Sequence, residues 1–321
     1  MTPLKPKPLH RGDTIGVVVP AGPVDRERID RALDRLRQRG FHTKTYGDIF
    51  RSRGYLAGDD ATRAAELVAA FADRETTAVW CARGGYGVAR LLDRIDFEVI
   101  RSNPKVFIGF SDITALHVAI HQRTGLVTFH GPNLQDGFGK TEDMPPGNEA
   151  ALWRAVMGEY QTGESRGYAF DFAGLEQVEL GTIRGGVATG RLTGGNLAVL
   201  AGLVGTPFEI DTTGRVLLLE DISERLYRID RYLSQLWLAG KLQPAAGVVL
   251  GSFSYDDDER AESPADVAEL LAEYFGRLDV PVLAGFPAGH AEHNLTLPIG
   301  ALVELDAADK RVRVCENTVA G

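Results

Sequence analysis

Between residues 14 and 129, short apolar runs alternate with stretches whose apolar residues recur every three or four positions. Residues 14–19 form a β-rich run, and Ile29, Leu33 and Leu36 then mark a helix that ends at Gly40. Residues 41–46 read as a second strand, after which Asp59 or Asp60 caps a helix carrying Leu67, Ala70 and Phe71. The alternation continues with a strand at 77–82, a helix at 87–95, a strand at 105–110, a helix at 112–123 and a strand at 126–129. Such an order predicts a parallel sheet covered by helices on both faces, with ligands bound beyond the carboxyl ends of the strands.

From residue 131 to about 181 the texture changes to Gly-Pro, Asp-Gly and Pro-Pro-Gly turn signals around one helical piece at 148–157. Beyond it, 177–180 and 185–192 read as short strands, 196–204 as a helix, and 215–219 as a buried strand running into Glu220-Asp221. A long amphipathic helix follows with Leu226, Ile229, Leu233, Leu236 and Trp237 on one face. A strand at 247–250, a helix opened by Ser263-Pro264, a strand at 280–283, a Gly-Pro loop over 285–294 and a hairpin of 301–305 with 312–315 complete the chain. The expected organisation is a doubly wound domain over 1–135, a crossover over 136–180 and a mixed α/β domain over 181–321. No internal repeat or low-complexity tract interrupts it.

The chain of 321 residues is long enough for two domains and a sizeable core. Its formal charge of −9 argues against nucleic acid or an anionic membrane surface as the main partner, and points to a small or peptide-sized ligand. Cys81 and Cys315 are too few for a disulfide framework or a cysteine zinc site, which fits a reducing compartment. The N-terminal stretch lacks an apolar signal core and no run is long enough to span a bilayer, so a soluble cytoplasmic protein is expected.

The chemistry centres on Gly109-Phe110-Ser111-Asp112-Ile113, where a strand stops on a serine and a helix begins. A sharp turn there would lift the Ser111 hydroxyl above the strand ends. It would also leave the Asp112 amide in the first helical turn, where N–H groups lack partners and favour negative charge. Ser111 could equally be an N-cap. A second loop at the same rim reads Arg83-Gly84-Gly85-Tyr86-Gly87, and its paired glycines could bring the Gly85 amide close to a ligand, although this run does not match a dinucleotide fingerprint. A hydroxyl nucleophile needs a base, and the base needs a partner that fixes its tautomer. His290, in the Gly-Pro loop, and Glu220, at a strand end, are candidates; each also has an ordinary structural reading.

On these residues the chain resembles the serine LD-carboxypeptidases, which include murein tetrapeptide LD-carboxypeptidases and microcin C self-immunity peptidases. The resemblance is carried by Arg83-Gly84-Gly85-Tyr86-Gly87, Gly109-Phe110-Ser111-Asp112-Ile113-Thr114, Gly194-Gly195-Asn196-Leu197, Leu218-Leu219-Glu220-Asp221, and Gly289-His290 followed by Asn294-Leu295-Thr296-Leu297-Pro298-Ile299-Gly300. It implies Ser111 as nucleophile, His290 as general base and then acid, Glu220 as the orienting acid, and the amides of Gly85 and Asp112 as oxyanion donors. The implied fold is a flavodoxin-like or amidotransferase-like N-terminal domain with a smaller β-rich C-terminal domain, usually as a homodimer. The implied activity is removal of the terminal D-alanine of cytoplasmic murein tetrapeptides, or, in the related branch, cleavage of peptidyl or aminoacyl nucleotides. It needs no metal or organic cofactor. Arg83 is a candidate for holding the substrate's terminal carboxylate, with a surface ion pair as the other reading.

Three rivals remain at this level. A metal hydrolase would use His290, His293 and Glu292 with a distant ligand such as His130, a spacing unlike a helical zinc motif. A cysteine enzyme would use Cys81, which sits inside a strand pattern. A non-catalytic binding module would use the doubly wound sheet alone.

Overall fold

The strands of the first sheet separate their side chains between two cores with a strict period of two. The computed structural model describes residues 2–158, 167–170, 172, 175, 178–254 and 264–321. In β1 (Thr14–Val18), Ile15 and Val17 enter one core and Val18 the other; in β3 (Thr76–Cys81), Ala78 and Trp80 enter the first and Val79 and Cys81 the second. With β2 (His42–Thr45), β4 (Val106–Gly109) and β5 (Thr128–His130), they form a parallel sheet in the order β2-β1-β3-β4-β5. That is the flavodoxin-like order, with its crevice beside β1 and β3.

Helices α1 (Arg26–Gln38), α2 (Asp60–Ala72), α3 (Phe97–Ser102) and α4 (Thr114–Thr124) cover this sheet. Asp25 and Asp59 cap α1 and α2 by accepting from the amides of Arg28 and Thr62. The stretch expected as one helix at 87–95 is a 3₁₀ turn, Ala89–Arg94. It stops because Asp96 caps a new helix, accepting from the amides of Glu98 and Val99. Helix α4 is buried around most of its circumference: Leu116 and Ala119 pack into the first lobe, and Val118 into the second.

The remaining elements are α5 (Pro146–Val156), β6 (Tyr168–Ala169), β7 (Gly181–Arg184), β8 (Val187–Asn196), α6 (Leu197–Leu203), β9 (Val216–Asp221), α7 (Leu226–Leu238), β10 (Gly247–Phe253), α8 (Pro264–Phe275), β11 (Val282–Ala284), β12 (Leu297–Ile299), β13 (Leu302–Asp306) and β14 (Arg311–Val314). Eight strands form a second sheet, β6-β14-β13-β8-β9-β10-β11-β7, parallel from β8 to β11 and antiparallel at both flanks. The strand expected at 177–180 instead begins at Gly181, where it pairs with β11; Gln177 lies outside the described residues, as does Ser263 ahead of α8.

One strand of the second half crosses back. β12 pairs antiparallel with β5 at the edge of the first sheet, with Leu297 opposite His130 and Pro298 opposite Phe129. Pro298 breaks the usual strand signal and is tolerated because β12 is an edge strand. A single apolar core then runs between the sheets, taking Trp80, Ile108 and Phe129 from the first and Val216, Leu218 and Val249 from the second. A polar tie reinforces the contact: the Asn196 amide donates to Thr114 Oγ1 at 2.9 Å.

Gly195 lies at this tie with φ of +139°, and an added Cβ would stand 2.4 Å from Thr114 Oγ1. Gly195→Ala is expected to destabilise the protein by about 2 kcal/mol or more, read as a lower urea midpoint. Gly202→Ala, in α6 with nothing within 4 Å of the new methyl, is expected to raise the midpoint by roughly 0.5–1 kcal/mol.

Candidate active site

Ser111 follows β4 directly and has φ of +67°, in the left-handed region that a residue with a side chain enters only when its surroundings enforce it. Its surroundings do so. Asn133 brackets the preceding residue, its Oδ1 accepting from the Phe110 amide at 3.3 Å. Gly109 leaves room for the turn, since a Cβ there would lie 2.9 Å from Ile113 Cγ2. His117, on α4, donates from Nε2 to the Gly109 carbonyl at 2.8 Å, while its Nδ1 meets Thr128 Oγ1 at 2.8 Å. Because a carbonyl can only accept, Nε2 carries the proton. Burial, and then the neighbouring His130, push His117 down to about 3, so the ring is neutral.

The helix start at Ser111–Ile113 has no side-chain cap, so the Ser111 hydroxyl is not engaged as an N-cap. Asp112 turns away from the cleft and accepts from the Val88 amide at 2.9 Å. The glycine loop abuts the serine: a Cβ on Gly84 would stand 2.9 Å from Ser111 Cβ and 3.1 Å from Oγ. Gly85 follows with φ of +110°. Arg63, fully buried, donates to the carbonyls of Pro20 and Gly87 and so holds the loops on either side of this turn.

Glu220 is the penultimate residue of β9 and has no exposure at all. Its Oε2 accepts from His290 Nδ1 at 2.7 Å. The approach depends on Gly289, with φ of +104°, where a Cβ would fall 2.7 Å from that same oxygen. Asn294 Oδ1 accepts from the Gly289 amide at 3.0 Å. Asn148 of α5 in turn pins the loop, accepting from the Asn294 amide and donating to the Glu292 carbonyl. Burial opposes the charge on Glu220, yet the carboxyl is held low, at about 2, by His130 and His290. The geometry weights the two unequally, because His130 Nε2 stops 3.8 Å from Oε1, beyond hydrogen-bond range.

Ser111, Gly84, Gly85, Arg83, Gly289 and His290 line one cavity of about 480 Å³, extended by Gln135, Asp136, Lys140, Asn148 and Arg28. The structure thus brings the sequence candidates to one cleft between the lobes, with Glu220 beneath His290. Among the described residues no hydrogen bond joins Ser111 to His290; in an unliganded hydrolase that contact is commonly long. Arg83 forms no ion pair among the described residues; it donates to the Pro23 carbonyl at the cavity wall. Cys81 is fully buried, and burial pushes its thiol well up, away from nucleophilic character. His293 and Glu292 line a second cavity, and no group of three potential metal-binding side chains occurs among the described residues. No helix among them is long and apolar enough to cross a membrane.

Sequence reasoning missed the supporting roles of Asn133 and Asn148, met Asn294 only within the motif after His290, and saw His130 only as a distant metal ligand. The available signal was a polar residue closing the apolar run Leu126-Val127-Thr128-Phe129.

Residues 15–131 match the model of the LD-carboxypeptidase N-terminal domain, and residues 189–305 that of the LD-carboxypeptidase C-terminal domain. The chain is 42% identical over 306 residues to a probable murein peptide carboxypeptidase of Bacillus subtilis, covering 95% of this chain and 92% of the relative. A solved structure of the microcin C7 self-immunity protein, a protein known from Escherichia coli, superposes with a TM-score of 0.89 at 26% identity, over 99% of this chain and 100% of that one. The muramoyltetrapeptide carboxypeptidase of Oxalobacter formigenes gives a TM-score of 0.81 at 28% identity, over 96% and 100%.

Burial raises the Asp112 carboxyl to about 6, with the Val88 amide and Arg63 opposing. A carboxyl raised on folding binds a proton that the unfolded chain has released, so its contribution to stability falls as pH rises from about 4 to 6. Asp112→Asn removes that dependence. At pH 7 the variant is expected to be more stable by roughly 1–3 kcal/mol, and the gap should narrow at pH 5, measured by urea unfolding at both values.

Proposed function

The chain belongs to the serine LD-carboxypeptidase family, and from that premise we propose that it hydrolyses the L,D-peptide bond to the terminal D-alanine of murein tetrapeptides, using Ser111, His290 and Glu220 as its triad. The observation that carries this reading is the 2.7 Å bond from His290 to the buried Glu220, on the wall of the cavity that also holds the strained Ser111 turn. Residues 1–135 supply the nucleophile, 181–321 the base and acid, and 136–180 join them.

With Nδ1 donating to an ionised carboxylate, His290 keeps Nε2 free as a proton acceptor. It takes the proton of Ser111 as Oγ attacks the carbonyl before the terminal residue. The tetrahedral oxygen accepts from the amides of Gly85 and Asp112. Collapse of the intermediate breaks the C–N bond, and Nε2 returns the proton to the leaving amine. Water, deprotonated by the same nitrogen, then hydrolyses the acyl-serine. Glu220 stabilises the imidazolium formed in both halves and stays ionised throughout.

The cavity lining carries three cations, Arg83, Arg28 and Lys140, and two carboxylates, Glu292 and Asp136, the latter 3.5 Å from Arg28; Arg83, beside the glycine loop and in no ion pair among the described residues, is placed to receive the terminal carboxylate. The family resemblance adds a homodimer acting in cytoplasmic wall recycling. A second reading, cleavage of peptidyl or aminoacyl nucleotides, draws on the likeness to the self-immunity protein, which has been solved with aspartyl sulfamoyl adenosine. The higher identity to the murein peptide carboxypeptidase favours the first.

Incubation with L,D- and L,L-linked tetrapeptides and with a peptidyl nucleotide, followed by mass analysis, separates the readings. D-alanine release from the L,D peptide alone is expected, and nucleotide release alone would favour the second. Ser111→Ala should lower kcat by roughly 10⁴-fold or more with the melting temperature little changed. Arg83→Gln is expected to raise KM by about 10-fold or more and to leave kcat within a few-fold, in steady-state assays.

A further inference from the structure

We propose that His130 is a positioning residue for the triad carboxylate: its Nε2 holds Oε1 of Glu220 and thereby fixes Oε2 on His290. This rests on the triad assigned above.

Glu220 Oε1 and both ring nitrogens of His130 are fully buried and have no hydrogen-bond partner. A buried carboxylate oxygen without a donor is costly, and so is a buried imidazole N–H without an acceptor. Here the two orphans face each other, with Nε2 3.8 Å from Oε1 and neither residue exposed. A closure of about 1 Å would make a charge-assisted hydrogen bond that satisfies Glu220 Oε1 and His130 Nε2.

The neighbouring imidazoles and carboxylate are committed elsewhere. His117, whose ring centroid lies 6.2 Å from that of His130, is committed to Gly109 and Thr128. Asp221 beside Glu220 is saturated by the Asn196 side chain and by the amides of Ala198 and Ile222. His290 occupies the opposite oxygen. Phe110 lies against both imidazoles, with ring centroids 6.0 Å from His130 and 4.7 Å from His290, and adds no charge.

His130 is also held by a rigid support. Its backbone pairs with Gly109 of β4 on one side and with Leu297 of β12 on the other. β12 follows the loop that carries His290, so one strand pairing sets the spacing of both imidazoles around the carboxylate. That gives the crossing of β12 into the first sheet a catalytic consequence: it clamps Glu220 from two sides.

The charged and titratable groups facing Glu220 are therefore His290, His130, Asp221 and, behind them, His117. Removing the donor at Oε1 leaves the carboxylate more basic and strengthens its hold on protonated His290. The base then stays protonated to higher pH, so the acid limb of kcat/KM moves up. His130→Phe is expected to lower kcat by about 10- to 100-fold with little change in KM, and to shift that limb to higher pH. His130→Gln, whose amide can still donate, should restore most of kcat and leave the limb in place. If His130→Phe does not fold by circular dichroism, His130→Asn, too short to reach Oε1, replaces it.

The downfield proton resonance of the His290 Nδ1–H gives a readout free of substrate. It is expected to broaden or move in His130→Phe and to persist in His130→Gln. A folded His130→Phe protein with parental kcat and an unchanged resonance would overturn the proposal, as would equal impairment of both variants with an unmoved acid limb. Absence of activity in the parent protein on every peptide would instead count against the assigned reaction, leaving the resonance to decide the role of His130.

Discussion

The structure of this site turns on a single buried charge. Glu220 has no exposure, and a carboxylate in such a place is tolerated only if its oxygens are met by donors. His290 meets one at 2.7 Å. Everything around the carboxylate serves that approach: the glycine at 289 that lets the loop descend, the asparagines that pin the loop, and the strand β9 that fixes the carboxylate from below. The pair is strong because it is dry, and for the same reason neither partner is easily replaced.

A second constraint lies across the cleft. Ser111 is held in a backbone region that costs of the order of 1–3 kcal/mol, and the turn survives because Asn133, His117 and the glycine loop over-determine it. The strain is local, and the residues that directly support it all belong to the first lobe. Helix α4, which begins just after the serine, packs against both lobes and receives the Asn196 amide on Thr114. The nucleophile turn is therefore mechanically coupled to the strand end beside Glu220, since Asn196 also bonds Asp221. These contacts register the two halves of the site against each other.

Much of this was legible in the sequence. Alternation of strand and helix patterns gave the parallel, doubly wound first lobe, and the match of β4 and its serine to a strand-turn-helix pattern singled out Ser111. Glu220 and His290 stood out because each closes a strand or sits in a Gly-Pro loop. What the sequence could not give was distance. The pairing of β12 with β5 is set by tertiary packing, and Pro298 conceals it. His130 was weighed only as a distant metal ligand because the group it faces lies 90 positions away, on Glu220. The positive φ of Ser111 likewise arises from neighbours remote in the chain, so a serine before a helix read equally well as a cap.

The most direct test of the central claim is a crystal structure of the protein with a peptide phosphonate ester whose phosphorus replaces the scissile carbonyl. The account predicts a covalent bond from Ser111 Oγ to phosphorus, His290 Nε2 within hydrogen-bond distance of a phosphonate oxygen, and a second oxygen between the amides of Gly85 and Asp112. An inhibitor bonded to another residue, or a His290 ring turned away from Glu220 in the adduct, would contradict it.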